Sequence, residues 1–336
     1  MQLKEYFFKL SFLYKLIPLG ILMKISNKKL IHVFYHFVID TENDLIGHLY
    51  KAKTKSQFTE DICFFKKHFD VFSESDLTHN NGGKGVLISF DDGLANFYEV
   101  VAPILIKKNI LAINFLNSNF IDNKGLFYRY KVNLLIDKIQ KEELTNLQIR
   151  ALQMLLGIPN YTDKKMFSFL KNASIKEELI LNKIAKILEF SFEDYLKMKS
   201  PYLTHQQLEE LHSKGFSFGA HSKNHPRYSQ ISLEEQLAET LESVREVKKQ
   251  FNPKRSLFSF PFSDDGVVKE FFYKIKDQSI ITFGTSGLKD EDLDNHFQRI
   301  PMEYKSAVYS AETIVKGELL YYLFKKIFKK HLTNRN

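Results

Sequence analysis

A short apolar segment that ends in two acids and a glycine constrains the fold of this chain more than any other feature. The apolar run extends from Val86 to Phe90, and Asp91-Asp92-Gly93 follows it directly. An uninterrupted apolar run is typical of a strand covered on both faces, as in a parallel sheet or barrel. Acids at the carboxyl end of such a strand lie where α/β folds usually place their chemistry. Because an acid pair also commonly caps a turn or a helix, its function depends on a partner elsewhere in the chain.

The segments around this run alternate between strand and helix patterns, which predicts an α/β fold with a parallel sheet. The predicted strands are 29–39, 86–90, 112–116, 216–220, 257–260 and 280–283. The predicted helices between them are 55–69, 94–108, 204–214 and 232–251. The segment from Asn80 to Gly83 predicts a turn before the acid-bearing strand. A strand, helix and strand of these lengths form a right-handed βαβ unit in nearly all folds.

The region from about 128 to 203 departs from this alternation. Its apolar residues recur at helical spacing, and Gly157-Ile158-Pro159 and Ser200-Pro201 divide it. We interpret it as a helical insertion into a single domain that spans 1–336. The segment of about 311–330 interleaves leucine, isoleucine and phenylalanine with lysine, which predicts an amphipathic C-terminal helix. Packing against the core is the preferred interpretation of this helix, and binding to a membrane surface is the alternative.

The composition narrows the classes of partner. The 336 residues carry 48 basic and 40 acidic side chains, a net charge of +8 that is spread along the chain. No basic domain of the nucleic-acid-binding kind stands out, and the charge balance weakly favours an acidic partner or an anionic membrane surface. Cys63 is the only cysteine, so the chain can form no internal disulfide and no thiolate metal cluster.

The apolar stretch 7–23 is interrupted by Lys9 and Lys15, and no small-residue cleavage site follows it. The stretch is too short and too charged for a membrane-spanning helix and differs from a signal peptide. We predict an amphipathic helix that lies on the fold or on a membrane surface. The expected location is the cytoplasm, with association at the inner face of the membrane as a further option.

Two histidines four residues apart are the expected partner of the acid pair. His221 and His225 directly follow the predicted strand 216–220, and one turn of the loop would let both rings face one cation. Two neutral imidazoles and one carboxylate leave open positions on a divalent ion, which suits it to polarise a carbonyl and activate a bound water. Such a histidine pair also occurs by chance on surface helices. Its place at a strand end in the same framework as Asp91-Asp92 favours a metal site.

Three motifs, in this order, resemble those of the polysaccharide deacetylases, the NodB-homology group of carbohydrate esterases. The segment from Ser89 to Gly93 resembles the first motif, Thr/Ser-Phe-Asp-Asp-Gly, and the segment from His221 to Pro226 resembles the second, His-Ser/Thr-x-x-His-Pro. The segment from Ser259 to Phe262 is similar to a relaxed third motif, which often reads Arg-x-Pro-Tyr. The resemblance extends from 29 to about 299. It implies a distorted (β/α) barrel that removes N-acetyl groups from sugars with the help of a divalent metal.

The resemblance also implies roles for single residues. Asp91 matches the general base, and Asp92, His221 and His225 match the metal ligands. Phe262 matches the position whose backbone N–H helps to bind the oxyanion, where any residue type can serve. Zinc is the expected ion because two imidazoles and a carboxylate suit it, although Co²⁺ and Ni²⁺ are plausible substitutes.

The sequence departs from the family pattern at two places. Ser259 replaces the third-motif arginine, which orients the base in many members; Arg299 could supply that charge, although a surface arginine is the commoner interpretation. The late Leu-x-x-His motif that holds the general acid is missing near the C-terminus. Circularly permuted members carry this histidine early, on a Tyr-His strand, and Tyr35-His36 matches that pattern. The resemblance therefore implies His36 as the acid, with His296 as the alternative.

These motifs predict a metal-dependent deacetylase that acts on an N-acetylated sugar of a surface glycan, or on its nucleotide- or lipid-linked precursor. The alternative is a non-catalytic, carbohydrate-binding member of the same fold. Because a binding module does not need a free carboxylate beside a metal, the retention of Asp91 favours the enzyme. A second acidic turn, Asp264-Asp265-Gly266, is interpreted as a solvated loop, or otherwise as a contact for sugar hydroxyls.

Overall fold

Parallel strands form a nearly closed barrel that is surrounded by helices, so the predicted barrel fold is confirmed. The structure is a computed structural model that describes residues 3–10, 13, 16–40, 45–78, 84–253 and 255–335. The turn predicted at 80–83 lies outside these residues. The strands are β1 (Leu30–Tyr35), β2 (Asp70–Phe72), β3 (Gly85–Phe90), β4 (Ile113–Leu116), β5 (Ser217–Ala220), β6 (Ser256–Ser259), β7 (Ile280–Gly284), β8 (His296–Gln298) and β9 (Ile300–Pro301).

The order of the strands around the barrel is β8, β7, β6, β5, β4, β3, β1 and β9, and each neighbouring pair is parallel. β2 pairs with the first half of β3. β8 and β9 are the two ends of this order, yet Arg299 alone separates them in the chain. One extended segment, 296–301, therefore pairs with β7 through its first half and with β1 through its second half, which closes the barrel. We call this segment the seam.

Helices fill the connections between the strands. The predicted helix over 204–214 begins with a capping box, in which Thr204 accepts from the Gln207 N–H and Gln207 accepts from the Thr204 N–H. The helix predicted over 94–108 contains a π-helical turn, Phe97–Val101. The α-helices are Leu3–Lys9, Leu19–Ser26, Lys55–His68, Ala102–Lys107, Tyr128–Lys141, Asn146–Leu156, Asp163–Asn172, Glu178–Ile187, Phe192–Lys199, His205–Ser213, Leu233–Phe251, Lys269–Lys276 and Ala311–Ile327.

The region between β4 and β5 is helical and has its own apolar cluster. Five of the helices just named, from Tyr128–Lys141 to Phe192–Lys199, lie there. Their buried side chains form one cluster with Phe37, Leu45 and Ile46, which come from the loop after β1. The helical cluster therefore lies beside the carboxyl end of β1, where the predicted acid His36 follows the strand.

The two ends of the described chain pack together. The helices Leu3–Lys9 and Leu19–Ser26 both pack on the last helix, Ala311–Ile327. Buried residues of all three helices belong to the main core cluster, as expected for the core-packed interpretation of the last helix. Among the described residues, no helix combines the length and the apolar character needed to cross a bilayer.

Candidate metal centre and active site

The two acids after β3 have different surroundings although they are adjacent. Both side chains are buried, and Asp91 continues the strand by donating its backbone N–H to the Tyr35 carbonyl at 3.0 Å. Asp92 has a φ of 73°, a left-handed conformation that is uncommon for a residue other than glycine. The turn directs the Asp92 carboxylate to the histidines and leaves that of Asp91 with Arg299. The pair therefore offers two carboxylates for two roles.

The loop after β5 brings both histidines to the Asp92 carboxylate. Its Oδ1 atom lies 3.4 Å from His221 Nε2 and 3.0 Å from His225 Nε2. Ser222 and His225 have φ values of 65° and 55°, and the Ser222 hydroxyl accepts the His225 backbone N–H at 2.9 Å. Backbone strain of this kind concentrates at functional sites, where the surrounding structure holds it in place. The loop makes the single turn that convergence of the two rings requires.

The contacts of these side chains fit a divalent cation. Asp92 Oδ1 is buried and has no hydrogen-bond partner among the described residues. Burying an unpaired carboxylate oxygen destabilises the folded state unless a bound cation interacts with it. His221 Nδ1 donates to the Ser259 carbonyl at 2.8 Å, so its Nε2 presents a lone pair. Two ligand atoms that are each about 2.0 Å from one ion at tetrahedral angles lie about 3.3 Å apart. The observed separations of 3.0 and 3.4 Å are close to that value.

The electrostatics of the three side chains agree with this fit. Burial lowers the pKa of His225 despite the opposing charge of Asp92, which favours the neutral ring that a metal requires. Burial opposes the ionisation of Asp92, but its contacts with His225 and His221 hold its pKa well below the usual range. The Tyr130 hydroxyl donates to Asp92 Oδ2 at 2.5 Å and fixes the carboxylate from the other side. The set is therefore two imidazole nitrogens and one oriented carboxylate oxygen.

Arg299 holds the second acid in place. Its two terminal nitrogens donate to Asp91 Oδ1 and Oδ2 at 2.8 and 2.7 Å, a bidentate pair. The guanidinium also lies over the rings of Phe34 and Phe115, at 4.3 and 5.2 Å from their centroids. Burial opposes the charge of Asp91, but Arg299 outweighs it and lowers the pKa of this carboxyl. Asp91 is thus an ionised, oriented carboxylate beside the proposed cation.

His36 follows β1, and its position is fixed by the carboxylate of Glu303, which lies two residues after the seam in the chain. Its Nδ1 atom donates to Glu303 Oε2 at 2.7 Å, and the backbone N–H groups of His36 and Phe37 donate to the same carboxylate at 2.9 Å. Burial lowers the pKa of His36, yet the Glu303 charge outweighs it, and the pKa is raised to about 9. The His36 side chain retains 23% exposure. The ring is therefore protonated at neutral pH and accessible to solvent or substrate.

Comparison with known proteins identifies the family. The model of the polysaccharide deacetylase family matches residues 78–270, more than half of the chain. The chain belongs to the polysaccharide deacetylase family. Members of this family are hydrolases that remove N-acetyl groups from sugars. No match was found in a search of the curated proteins.

Solved structures share the fold of this chain. The Streptococcus pyogenes deacetylase PplD in complex with acetate is 16% identical over 86% of this chain and 98% of its own, with a TM-score of 0.53. IcaB from Ammonifex degensii is 13% identical over 87% of this chain and 97% of its own, with a TM-score of 0.52. A polysaccharide deacetylase from Bacillus cereus is 13% identical over 87% and 69%, with a TM-score of 0.54. At these identities the similarity establishes the fold alone.

In this deacetylase, the interpretation of Arg299 as a surface residue is wrong. Arg299 is fully buried, because it lies between β8 and β9, where the seam passes from β7 to β1 and closes the barrel. Ser259 replaces the third-motif arginine. Its hydroxyl donates a hydrogen bond to Asp91 Oδ2 at 3.4 Å and accepts one from Arg299. The charge beside the base therefore comes from another strand.

His296 does not reach the site of the deacetylase. Successive residues of a strand point to opposite faces, and Phe297 packs on the inner cluster whereas His296 packs on Phe260 and Phe272. His296 Nε2 contacts Asp264 at 3.0 Å, and Asp264 also pairs with Arg335. The solvated-loop interpretation is therefore wrong for Asp264, which is 1% exposed.

Phe262 lies at the mouth of the site. Its ring centroid is 4.7 Å from that of His225, and its φ of 59° is again left-handed. The Thr285 hydroxyl donates to its carbonyl at 3.0 Å, whereas its N–H has no protein partner among the described residues. The role of this N–H as an oxyanion donor stays a prediction.

Sequence reasoning missed several residues that orient the site. Glu303 and Tyr130 are each buried against a predicted site residue, but they follow no motif and are distant from it in the sequence. Asn117, directly after β4, donates to the His221 carbonyl. A polar residue directly after a buried strand is the one signal that could have indicated Asn117.

Proposed function

We propose that this chain is a divalent-metal-dependent de-N-acetylase. Asp92, His221 and His225 would hold the ion, with Zn²⁺ as the expected metal. The observation that carries the proposal is the convergence of three buried ligand atoms on one point, with Asp92 Oδ1 lacking any other partner among the described residues. When bound there, a divalent ion supplies polarisation of the amide carbonyl and activation of a water.

The residues of the chain supply the proton transfers. Asp91, kept ionised and aligned by Arg299, accepts the proton of the attacking water. The Phe262 N–H would donate to the carbonyl oxygen as negative charge develops on it. His36, kept protonated by Glu303, gives its proton to the leaving nitrogen, so that the amine departs as a neutral group. The base and the acid are thus two groups whose pKa values are shifted in opposite directions.

Removal of a metal ligand should separate metal binding from folding. We expect His221→Ala, His225→Ala and Asp92→Asn to lower bound metal well below one ion per chain, with activity recovered only at high added metal. The cause is the loss of one of three donors from a site that cannot replace it. Metal analysis of each purified variant is the measurement, and wild-type stoichiometry in all three would exclude the site.

The activity itself is tested by acetate release. The purified chain is incubated with divalent metals and a panel of N-acetylated substrates: free chitin oligomers, sugar nucleotides and lipid-linked sugars. Metal-dependent release of acetate from at least one of them is the expected result. If none releases acetate although metal is bound, the proposed activity fails.

Two arginines at the mouth support a phosphate-bearing substrate, such as a nucleotide- or lipid-linked precursor of a surface glycan, over a finished polymer. The Arg227 guanidinium lies 4.7 Å from the Phe262 ring centroid and is exposed. Arg129, next to Tyr128 at the same ring, donates to the Lys171 carbonyl at 2.9 Å. Neither arginine has a carboxylate partner among the described residues. Burial, and then the charge of Arg227, lower the pKa of Arg129, as expected for like charges held close together.

Replacement of Arg227 should discriminate between neutral and phosphate-bearing substrates. We expect Arg227→Gln to raise KM about tenfold for phosphate-bearing donors, since a charged hydrogen bond is worth about 1.5–3 kcal/mol. The KM for a neutral oligomer should not change. Lys183→Gln, an exposed change on a helix of the insertion, is the matched control. Equal effects of Arg227→Gln on both substrate classes would contradict a phosphate-bearing substrate.

The alternative of a non-catalytic carbohydrate-binding member depended on the missing third-motif arginine. Arg299 supplies a guanidinium beside Asp91, which removes the sequence argument for inactivity. A cytoplasmic location for the reaction agrees with a precursor substrate and stays part of the proposal.

A further inference from the structure

The helices at the two ends of the described chain together form one surface, which we call the terminal-helix face. It consists of the described residues 3–10, 13 and 16–26, which include the helices Leu3–Lys9 and Leu19–Ser26, and of the last helix with the residues that follow it, 311–332. The Phe7 ring joins the first helix to the last, at 5.5 Å from Tyr321 and 5.8 Å from Phe324. Lys28 joins the end of the second helix to the last, 4.4 Å from the Tyr322 ring. The outer sides of these helices therefore belong to one continuous surface.

Large apolar side chains are exposed on this face to an unusual extent. Leu16, Ile327 and Ile25 are 93%, 77% and 60% exposed. Exposed apolar residues scattered singly are normal, whereas a contiguous patch marks an interaction site. The face holds ten of the nineteen exposed large apolar side chains among the described residues: Tyr6, Leu10, Leu13, Leu16, Ile21, Ile25, Phe324, Ile327, Phe328 and Leu332.

The exposed charges of this face have one sign. They belong to Lys9, Lys24, Lys326, Lys329 and Lys330. By contrast, Glu5 and Glu318 are buried, and Glu312 pairs with Lys316. From Tyr6 to Lys29 the sequence has five lysines and no acid, and from Leu319 to Asn336 it has four lysines, one arginine and no acid. Lys326, Lys329 and Lys330 are exposed beside Ile327 and Phe328. These two segments carry more positive charge than the net +8 of the chain, so the remainder is slightly acidic. Lys28 pairs with Asp290 and Arg335 pairs with Asp264, so the positive charge that these segments present to solvent comes mainly from the exposed lysines of the terminal-helix face.

We propose that the terminal-helix face docks on an anionic lipid bilayer. Its apolar side chains would enter the boundary between headgroups and acyl chains, while its lysines contact lipid phosphates. A second copy of the chain fits less well, because a symmetric contact would place the exposed lysines of one face (Lys9, Lys24, Lys326, Lys329 and Lys330) opposite the same lysines of the other. The positive charge of the face therefore favours an anionic bilayer over a second copy of the chain. The proposal depends on surface residues alone and is independent of the proposed reaction.

Vesicle sedimentation of the full chain tests this assignment. We expect binding to vesicles that contain phosphatidylglycerol, little binding to phosphatidylcholine alone, and weakening with added salt. Lys329→Ser with Lys330→Ser should reduce the partition coefficient about 30-fold, since each lysine near an anionic surface contributes about 1 kcal/mol. Ile327→Ser with Phe328→Ser should reduce it at least about tenfold through the loss of buried apolar area.

Matched controls come from the helical region between β4 and β5. Leu147→Ser with Met154→Ser removes side chains that are 78% and 85% exposed, and Lys183→Ser with Lys186→Ser removes two exposed charges. We expect these chains to bind vesicles as the wild type does. The proposal is overturned by equal losses in variants and controls, or by equal binding to neutral and anionic vesicles. Self-association that Ile327→Ser abolishes, without vesicle binding by the wild type, would assign the face to a second copy instead.

Discussion

Asp91→Asn should keep the bound metal and lose about 10²–10⁴ in kcat, the usual range for the loss of one proton-transfer group. The amide has nearly the shape of the carboxylate but cannot accept the proton of the attacking water. Asp91 lies 4.0 Å from His221 Nε2 and hydrogen-bonds to Arg299 and Ser259, not to the imidazoles. Metal content should therefore be unchanged, in contrast with Asp92→Asn.

The measurement needs a stability control, because the same change breaks a buried ion pair. It leaves the Arg299 guanidinium, which is fully buried, without a charged partner, and such a loss costs about 3–5 kcal/mol of folding stability. Thermal unfolding gives the temperature at which the variant begins to unfold, and kcat is measured below that temperature. Retention of most of kcat in a folded, metal-loaded variant would show that another group is the base.

The convergence of Asp92, His221 and His225 could be predicted from the sequence because the topology is simple. The carboxyl ends of parallel strands lie at the same end of the barrel. Asp92 follows β3 and His221 follows β5, and these side chains lie close together because only β4 stands between the two strands. Each group also belongs to a local motif in which the strand and the turn are recognisable. The strands β3, β5 and β7 begin and end within one residue of their predicted bounds for the same reason.

Arg299 and Glu303 could not be placed in this way. Arg299 lies in the seam and Glu303 follows it by two residues. The seam pairs with β7 and then with β1, and no local pattern indicates that one short segment pairs with both edges of the sheet. Asp264 was misjudged for a related reason. Its partner Arg335 is distant in the sequence, and the polarity of an acidic turn cannot show that a distant guanidinium covers it. Residues that act through tertiary contacts thus need the closed barrel to be known.

The pairing of His36 with Glu303 gives the second large expected effect. His36→Gln should cost about 10²–10⁴ in kcat while metal content stays unchanged, because the leaving amine loses its proton donor. The alkaline limb of the pH–rate profile should disappear with the titrating ring. His296→Ala, which removes a buried histidine on the outer side of the sheet, is the matched control and should affect stability more than kcat.

Glu303→Gln tests the cause of the raised pKa separately from the ring itself. His36 must be protonated to act as the acid, and its pKa is raised to about 9, so activity should fall as pH rises through about 9. The amide can still accept the hydrogen bond but removes the charge that outweighs burial. The limb should therefore move to lower pH, toward or below the ordinary histidine value of about 6.5.

Stability should follow the same titration with a readout that does not depend on catalysis. A raised folded-state pKa stabilises the native chain below the unfolded-state pKa, and this contribution is lost as pH rises through about 9. The unfolding midpoint of Glu303→Gln should thus lie below that of the wild type at neutral pH, and this difference should shrink at more alkaline pH. A shifted rate profile without this stability signature would mean that the titrating acid is another group. If instead His296→Ala abolished the alkaline limb and His36→Gln did not, the acid would come from the C-terminal side of the chain.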